Sequence, residues 1–419
     1  MPDDLRLDLF WMVTAWMAVL GACVGSFLNV VVWRLPRGES LVRPGSHCPR
    51  CNKTIPPWEN IPLLSWLCLR GRCSGCGLPI SVRYPLVELA TLLLFLAVWV
   101  PVGRSAALPW GLAAPGLVLV SVLLAAALTD VEHRLIPDGL SWTGLAAALA
   151  LAAATGWRPG APWCWLGMGG WDGGDLLTTG LWELLGVNSG AGPFGSRWLA
   201  LAEVLAGALV GGVLLGGIRW CGGVLWGTRR WPFDAGRVCR LETQTVQVAD
   251  WLEARPEELW PSGLDEVHLQ LQPGASGLAE NGWPAVLGEA VTLELTPAGV
   301  CLGSRRVSWA DLKPVSGLAV AAAVRRETLG LGDVKMAAML GAFLGGGGLL
   351  FALILATLPA LLAGLLIWCG RRFRPEVAPG LPFGAFLAAG GMAWWVAGDH
   401  VLRLMMLAVG WLHSLRPVL

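Results

Sequence analysis

The feature that most limits what this chain can become is a succession of apolar runs, at about 9–33, 85–102, 109–129, 139–157, 198–218, 333–346, 349–369 and 383–398. Most are long enough to cross roughly 30 Å of hydrocarbon as a helix. The run at 333–346 is short and begins before its apolar part, and 401–412 continues the last span or lies at the interface. Composition agrees. With 55% hydrophobic and 14% charged residues and a mean hydropathy of +0.60, the chain departs from soluble globules, which carry about 25% charged residues. A net charge of +1 gives no reason to expect a nucleic-acid partner. The first run reads as a retained span and not a secretory signal, because Asp3, Asp4 and Asp8 outnumber Arg6 where a signal is basic. The expected fold is an all-α polytopic membrane protein with about eight transmembrane helices.

Basic residues orient it. The 34–84 loop carries Arg34, Arg37, Arg43, Arg50, Lys53, Arg70, Arg72 and Arg83, and the 370–380 loop carries Arg371, Arg372 and Arg374. Between the second and third spans there is only Arg104. Loops rich in Lys and Arg stay inside, so the 34–84 loop, the 130–138 connection and the segment before Asp333 are expected on the cytoplasmic side. The Gly- and Trp-rich 156–197 stretch is expected on the outer face. The chain then divides into a first span (1–33), a loop (34–84), spans two to five (85–218), an insert (219–317) and spans six to eight (318–419).

The insert has its own pattern. "EVHLQLQ" (266–272) and "AVTLELTPAG" (290–299) alternate apolar and polar residues and end in Pro and Gly. That is the pattern of half-buried strands, and a small β-rich cytoplasmic insert is expected; a poorly ordered linker is the alternative.

"CPRC" (Cys48, Cys51) and "CSGC" (Cys73, Cys76) share the first loop, with 21 residues between them. Two-residue knuckles at this separation fit a tetrahedral four-thiolate Zn²⁺ site, and a reducing compartment argues against disulfides. Unmetallated thiols are the alternative. Four protein ligands make the site closed, so it would fold the loop and not act in chemistry. Cys68 is left out of the site, and Cys23 and Cys369 read as packing residues.

Two carboxylates then stand out. Asp130 ends the third span in "LTDVEHRLIPDG" (128–139), and Asp333 opens a later one in "ETLGLGDVKMAAMLGAFLG" (327–345). Ionisable groups in membrane helices are expensive and usually functional. On one face they would titrate as a coupled pair, and one ionised and one protonated carboxyl suit an aspartic protease. Alone, each is equally explained as a solvated helix cap; Asp138 after Pro137 reads as one. Gly330 and Gly332 would let a substrate strand approach closely. Asp333 would sit at a helix N-terminus favouring its anion, with Lys335 pushing the same way if close. His133 is the histidine nearest the pair.

These motifs carry a resemblance. "GLGDVK" (330–335) with "TDVEHRLIPD" (129–138) resembles the two-aspartate signature of type IV prepilin peptidases, membrane aspartic proteases of the GxGD type. "GSFLNVVVWRLP" (25–36), the cysteine pairs, "PPWENIPLLSWLCLRGRCSGCGLPISVRYPLVEL" (56–89) and "LPFGAFLAAGG" (381–391) resemble segments of that family in the same order. The resemblance implies a bacterial cytoplasmic-membrane enzyme that removes the basic leader of prepilins and type II secretion pseudopilins. It implies Asp130 and Asp333 as the catalytic pair, Cys48, Cys51, Cys73 and Cys76 as zinc ligands, and Glu132 as a possible supporting acid. Members with the cysteine loop commonly also methylate the new amino terminus with S-adenosylmethionine. Gly25, Asn29, Pro36 and Glu59 match the family pattern without implying a role. The insert and the long 156–197 loop depart from the family, and an insert just upstream of Gly330–Asp333 would gate substrate access. Other readings are a peptidase without methyl transfer, a silent assembly factor of a pilus or secretion machine, and a transporter, for which Glu203 is the one clear carboxylate.

Overall fold

The computed structural model describes residues 3–104, 110–160, 196–226, 228–250, 252–255, 266–273, 275–283, 291–296, 298–303, 305–325, 329–371 and 381–414. The 156–197 loop from 161 to 195, and 372–380 with Arg372 and Arg374, lie outside them. The helices are α1 (Asp3–Arg34), α2 (Leu64–Cys68), α3 (Arg83–Arg104), α4 (Ala113–His133), α5 (Asp138–Thr155), α6 (Arg197–Trp226), α7 (Leu331–Arg371) and α8 (Phe383–Ser414). Among the described residues, α1, α3, α4, α6 and α7 contain spans long and apolar enough to cross a membrane, and Phe383–Gly398 is a shorter apolar helix. The runs at 333–346 and 349–369 share α7, which is broken at Gly345 (φ 72°, ψ 174°). That conformation is left to glycine because a Cβ would clash there. A second break, at Ala397, precedes the 401–412 stretch.

The chain forms two compact units. The first is Met1–Leu214, Gly332–Gly364 and Pro382–Leu419; the second is Leu215–Leu331 with Leu365–Leu381. In the first, helices approach through small residues four apart. A Cβ built on Gly21 would stand 2.8 Å from Leu92 Cα, and one on Gly25 would stand 2.7 Å from Glu88 Cα, so α1 and α3 meet backbone to backbone. Gly207 and Gly211 of α6 lie in the same way against the carbonyls of Gly341 and Ala337 in α7. Without a hydrophobic force between helices in lipid, such close packing is what holds them together. Helix α4 packs along α8, and α1 along α3.

The second unit contains an eight-stranded antiparallel sheet in the order β3-β2-β1-β8-β4-β5-β6-β7. Its strands are β1 (Thr228–Leu241), β2 (Val246–Val248), β3 (Leu252–Ala254), β4 (Glu266–Leu271), β5 (Val291–Thr296), β6 (Gly299–Leu302), β7 (Arg305–Val307) and β8 (Val315–Arg325). The alternation read from the sequence is realised: Val267, Leu269, Leu271, Val291, Leu293 and Leu295 are buried, while Gln270, Thr292 and Glu294 face outward. First and last strands are neighbours, with Thr228 opposite Arg325 and Leu241 opposite Val315. Entry and exit therefore lie side by side, which is how a whole sheet is accommodated between two helices. Arg219 of α6 closes the junction by donating to the carbonyl of Leu329 at 2.6 Å.

Candidate active site and metal centre

Asp130 lies in the last turn of α4 and is 7% exposed. The helix stops because Arg134 turns left-handed (φ 54°), its N–H donating to the Asp130 carbonyl at 2.9 Å. Through Leu135–Pro137 the chain returns into α5. Asp333 lies in the first turn of α7, where unpaired N–H groups and the helix dipole suit a carboxylate. A third element reaches both. The N–H of Ala385, in the first turn of α8, donates to Asp130 Oδ2 at 3.0 Å. A Cβ built on the preceding Gly384 would stand 3.0 Å from Asp130 Oδ2 and 3.1 Å from Asp333 Oδ1. The two carboxylates, 203 positions apart in sequence, converge on one point. A solvated cap does not describe Asp130: it is buried and its carboxylate is held by a different helix.

The other residues singled out from the sequence find separate partners. Glu132 Oε1 pairs with Arg83 Nε at 2.8 Å, and His133 Nε2 stands 3.9 Å from Glu132 Oε2. Lys335 Nζ pairs with Asp138 Oδ2 at 2.6 Å. Asp138 is thus no N-terminal cap: Pro137 occupies the cap position of α5, and the Asp138 carboxylate is used across to α7. Gly332 admits a neighbour from this chain, since a Cβ there would stand 3.1 Å from Ile136 Cβ. Gly330 precedes the first turn of α7. Glu203 forms a buried two-pronged ion pair with Arg158, at 2.7 Å (Nε–Oε2) and 2.5 Å (Nη2–Oε1). That partner removes the ground for reading Glu203 as a transporter carboxylate. Sequence reasoning passed over Gly384, Ala385 and Ile136. The signal available was Pro382 followed by Phe383-Gly384, a proline before an apolar run that marks a helix start.

The four cysteines of the first loop come together, with all four Sγ atoms within 4.8 Å of one another. Cys48 and Cys76 are 3.9 Å apart, as are Cys51 and Cys73. A tetrahedral zinc ion with bonds of about 2.3 Å sets its sulfurs about 3.8 Å apart, so the donor set fits the ion. The two knuckles repeat one hydrogen-bond pattern. Cys48 N–H donates to the Lys53 carbonyl and Asn52 N–H to the Cys48 carbonyl; Cys73 N–H donates to the Leu78 carbonyl and Gly77 N–H to the Cys73 carbonyl. Asn52 (φ 56°) and Gly77 (φ 70°) take the left-handed turn after the second cysteine of each pair. Backbone N–H groups of Cys51 and Arg50 pull the Cys48 thiol down to about 6, and those of Cys76 and Gly75 lower Cys73. The Lys53 N–H favours the Cys51 thiolate too, but burial and three neighbouring thiols push Cys51 up to about 11. Metal-free, the cluster does not hold four thiolates; an ion would displace the remaining protons.

A polar clamp joins the knuckles. Lys53 Nζ donates to Glu59 Oε1 at 3.3 Å and to Ser74 Oγ at 2.7 Å, and Ser74 Oγ donates to Glu59 Oε2 at 2.5 Å. The Ser74 hydroxyl, then Lys53, hold Glu59 below the usual carboxylate range. The loop is tied to the membrane helices by Glu88, buried in α3, whose Oε2 accepts the Leu63 N–H at 2.7 Å. Leu63 (φ 63°, ψ −51°) is the centre of a tight turn closed from Leu64 N–H to the Pro62 carbonyl at 2.7 Å. This is a γ-turn of the rare, strained hand.

Residues 19–102 match the family profile described as the bacterial peptidase A24 N-terminal domain. Over 138 residues the chain is 54% identical to a prepilin leader peptidase/N-methyltransferase of Myxococcus xanthus, covering 33% of this chain and 40% of that protein. It is 45% identical over 175 residues to a type 4 prepilin-like proteins leader peptide-processing enzyme of Escherichia coli (35% and 62%). A prepilin leader peptidase/N-methyltransferase of Pseudomonas aeruginosa is 42% identical over 163 residues (31% and 52%). The chain thus spans less than two thirds of the length of these relatives. No solved structure matches. The resemblance to prepilin peptidases read from the motifs holds in both comparisons that return a match.

Proposed function

We propose that this chain is an integral-membrane aspartic endopeptidase that removes the basic leader of type IV prepilins and type II secretion pseudopilins, and that it then methylates the new amino terminus. The observation that carries the reading is the convergence of Asp130 and Asp333 beside Gly384. In the reaction, the ionised aspartate takes a proton from water as the oxygen attacks the scissile carbonyl. The protonated one donates its hydrogen bond to the carbonyl oxygen, and the proton passes to the leaving amine. Gly332 lets the Asp333 turn lie close to Ile136, Lys335 holds the start of α5 through Asp138, and Glu132 holds Arg83. S-adenosylmethionine would supply the methyl group of the second activity.

Cys48, Cys51, Cys73 and Cys76 would hold a structural Zn²⁺ that folds the first loop, with the Glu59–Lys53–Ser74 clamp as its outer support. The topology proposed has about eight spans in the bacterial cytoplasmic membrane, an insert that runs from β1 at Thr228 to the end of β8 at Arg325, and the aspartates, cysteine loop and insert on the cytoplasmic side. The abundance of basic residues in the 34–84 loop supports that orientation. The experiment is leader cleavage of a prepilin in membranes by the wild type, Asp130→Ala and Asp333→Ala, with methyl transfer followed on a pre-cleaved pilin. Both variants are expected to lose cleavage while staying inserted. Wild-type cleavage by either one refutes the two-aspartate reading, and cleavage without methyl transfer by the wild type reduces the enzyme to a peptidase.

A further inference from the structure

The backbone of α8 comes up to both carboxylates. Gly384 offers no side chain, and the N–H of Ala385 reaches Asp130 Oδ2 at 3.0 Å. A methyl group on Gly384 would meet an oxygen of each carboxylate, at 3.0 and 3.1 Å, and would overlap Ile136 Cδ1. Contacts that tight force the neighbours to give way. Ile136 can rotate or be trimmed, but the two aspartates are fixed to the ends of α4 and α7, so relief on their side moves the carboxylates themselves. Ala385 adds orientation: its N–H, shared between Asp130 Oδ2 at 3.0 Å and the Pro382 carbonyl at 3.2 Å, favours one rotamer of the Asp130 side chain.

We infer that the first turn of α8 is a positioning element for the aspartate pair, with Gly384 keeping the space between the carboxylates free and the Ala385 N–H fixing Asp130. This rests on the aspartic-peptidase reading above. Both residues act through the aspartates, since they meet the carboxylates and not the substrate. Their substitution should therefore change turnover and leave substrate affinity and the cysteine loop alone.

The test uses the full chain in proteoliposomes with a prepilin, measuring kcat and KM for leader cleavage and the metal content of the cysteine loop. Gly384→Ala is expected to lower kcat about tenfold, because contacts of 3.0 and 3.1 Å shift each carboxylate by a fraction of the roughly 1 Å misplacement that costs about 100-fold, with KM and metal content held within about twofold. Adding Ile136→Ala relieves the overlap with Ile136 but not the contacts with the carboxylates, so kcat should stay low. Recovery of kcat in that double variant overturns the inference, because ordinary packing would then explain the loss. Should Gly384→Ala fail to insert, two substitutions at Ala385 decide the matter. Ala385→Pro removes the N–H in a first turn, where proline is least disruptive to a helix, and Ala385→Ser keeps it. The serine variant is expected to turn over at least ten times faster than the proline variant, and equal rates overturn the inference. If Asp130→Ala and Asp333→Ala are inactive while Gly384→Ala cleaves normally, the peptidase reading stands and this inference alone fails.

Discussion

Removing the carboxylate of Glu203 is expected to be among the most destabilising single changes away from the aspartates. Both sides of the Arg158–Glu203 pair are almost fully buried, with side chains 2% and 4% exposed. The two parallel hydrogen bonds of 2.7 and 2.5 Å are the fork geometry in which an arginine pairs best with a carboxylate. Around the pair, Trp157 packs on Phe343 with ring centroids 5.7 Å apart, and Gly160 N–H donates to the Phe343 carbonyl at 2.9 Å. The pair therefore ties the turn after α5 to α6, while Trp157 and Gly160 seat the same turn on α7 just ahead of its break at Gly345. Glu203→Leu takes from the buried guanidinium the carboxylate that receives these two hydrogen bonds, which costs about 3–5 kcal/mol when such pairs are broken. Arg158→Met should cost a similar amount from the other side. The double variant removes both charges and should return to within about 2 kcal/mol of the wild type, since a buried pair replaced by apolar groups of similar volume is often neutral. The assay is chemical unfolding of the four proteins in the same lipid–detergent micelles, read as a double-mutant cycle. Additive losses, or a cost below about 1 kcal/mol for Glu203→Leu, would refute the claim that the pair is dry and tightly coupled.

Three further outcomes are expected. Gly211→Leu places a side chain against the Ala337 carbonyl of α7 and should cost about 1–3 kcal/mol by forcing the helices apart, measured by the same unfolding assay. Glu59→Gln keeps the loop but weakens the clamp on Lys53 and Ser74; zinc should pass to a competing chelator with affinity reduced about 10–100-fold, and an unchanged transfer midpoint would show the clamp to be idle. Glu88→Leu strands the Leu63 N–H that its carboxylate accepts, a loss of about 1–3 kcal/mol. It should show as faster protease nicking between residues 56 and 70 in otherwise intact membranes.

Much of this architecture was legible because it depends on local periodicity. Runs of apolar residues became α1, α3, α4, α6 and α7, and the two runs read at 333–346 and 349–369 share α7, whose break at Gly345 falls just inside the first of them. Alternation in 266–272 and 290–299 became β4 and β5. Paired C-x-x-C spacing places two thiolates within reach of one point, and the four sulfurs did gather. Partner choice was not legible. Lys335 lies two residues from Asp333 in sequence yet pairs with Asp138, and Glu132 beside Asp130 pairs with Arg83. Glu203 read alone as a membrane carboxylate because Arg158 is 45 positions away. The glycines at 21, 25, 207 and 211 are spaced four apart, a recognisable helix-contact signal, but which helix each pair meets depends on how the bundle is assembled.

What this sequence determined by itself was the inventory: helices from runs of apolar side chains, strands from alternation, a thiolate cluster from its spacing, and two aspartates at helix ends. These follow from interactions between residues a few positions apart, which chain geometry alone sets. Only the tertiary structure decided that Asp130 and Asp333 meet, and that they meet beside a glycine at the start of a third helix. That juxtaposition depends on close helix packing between segments far apart in the chain, and no local pattern specifies which backbones will touch.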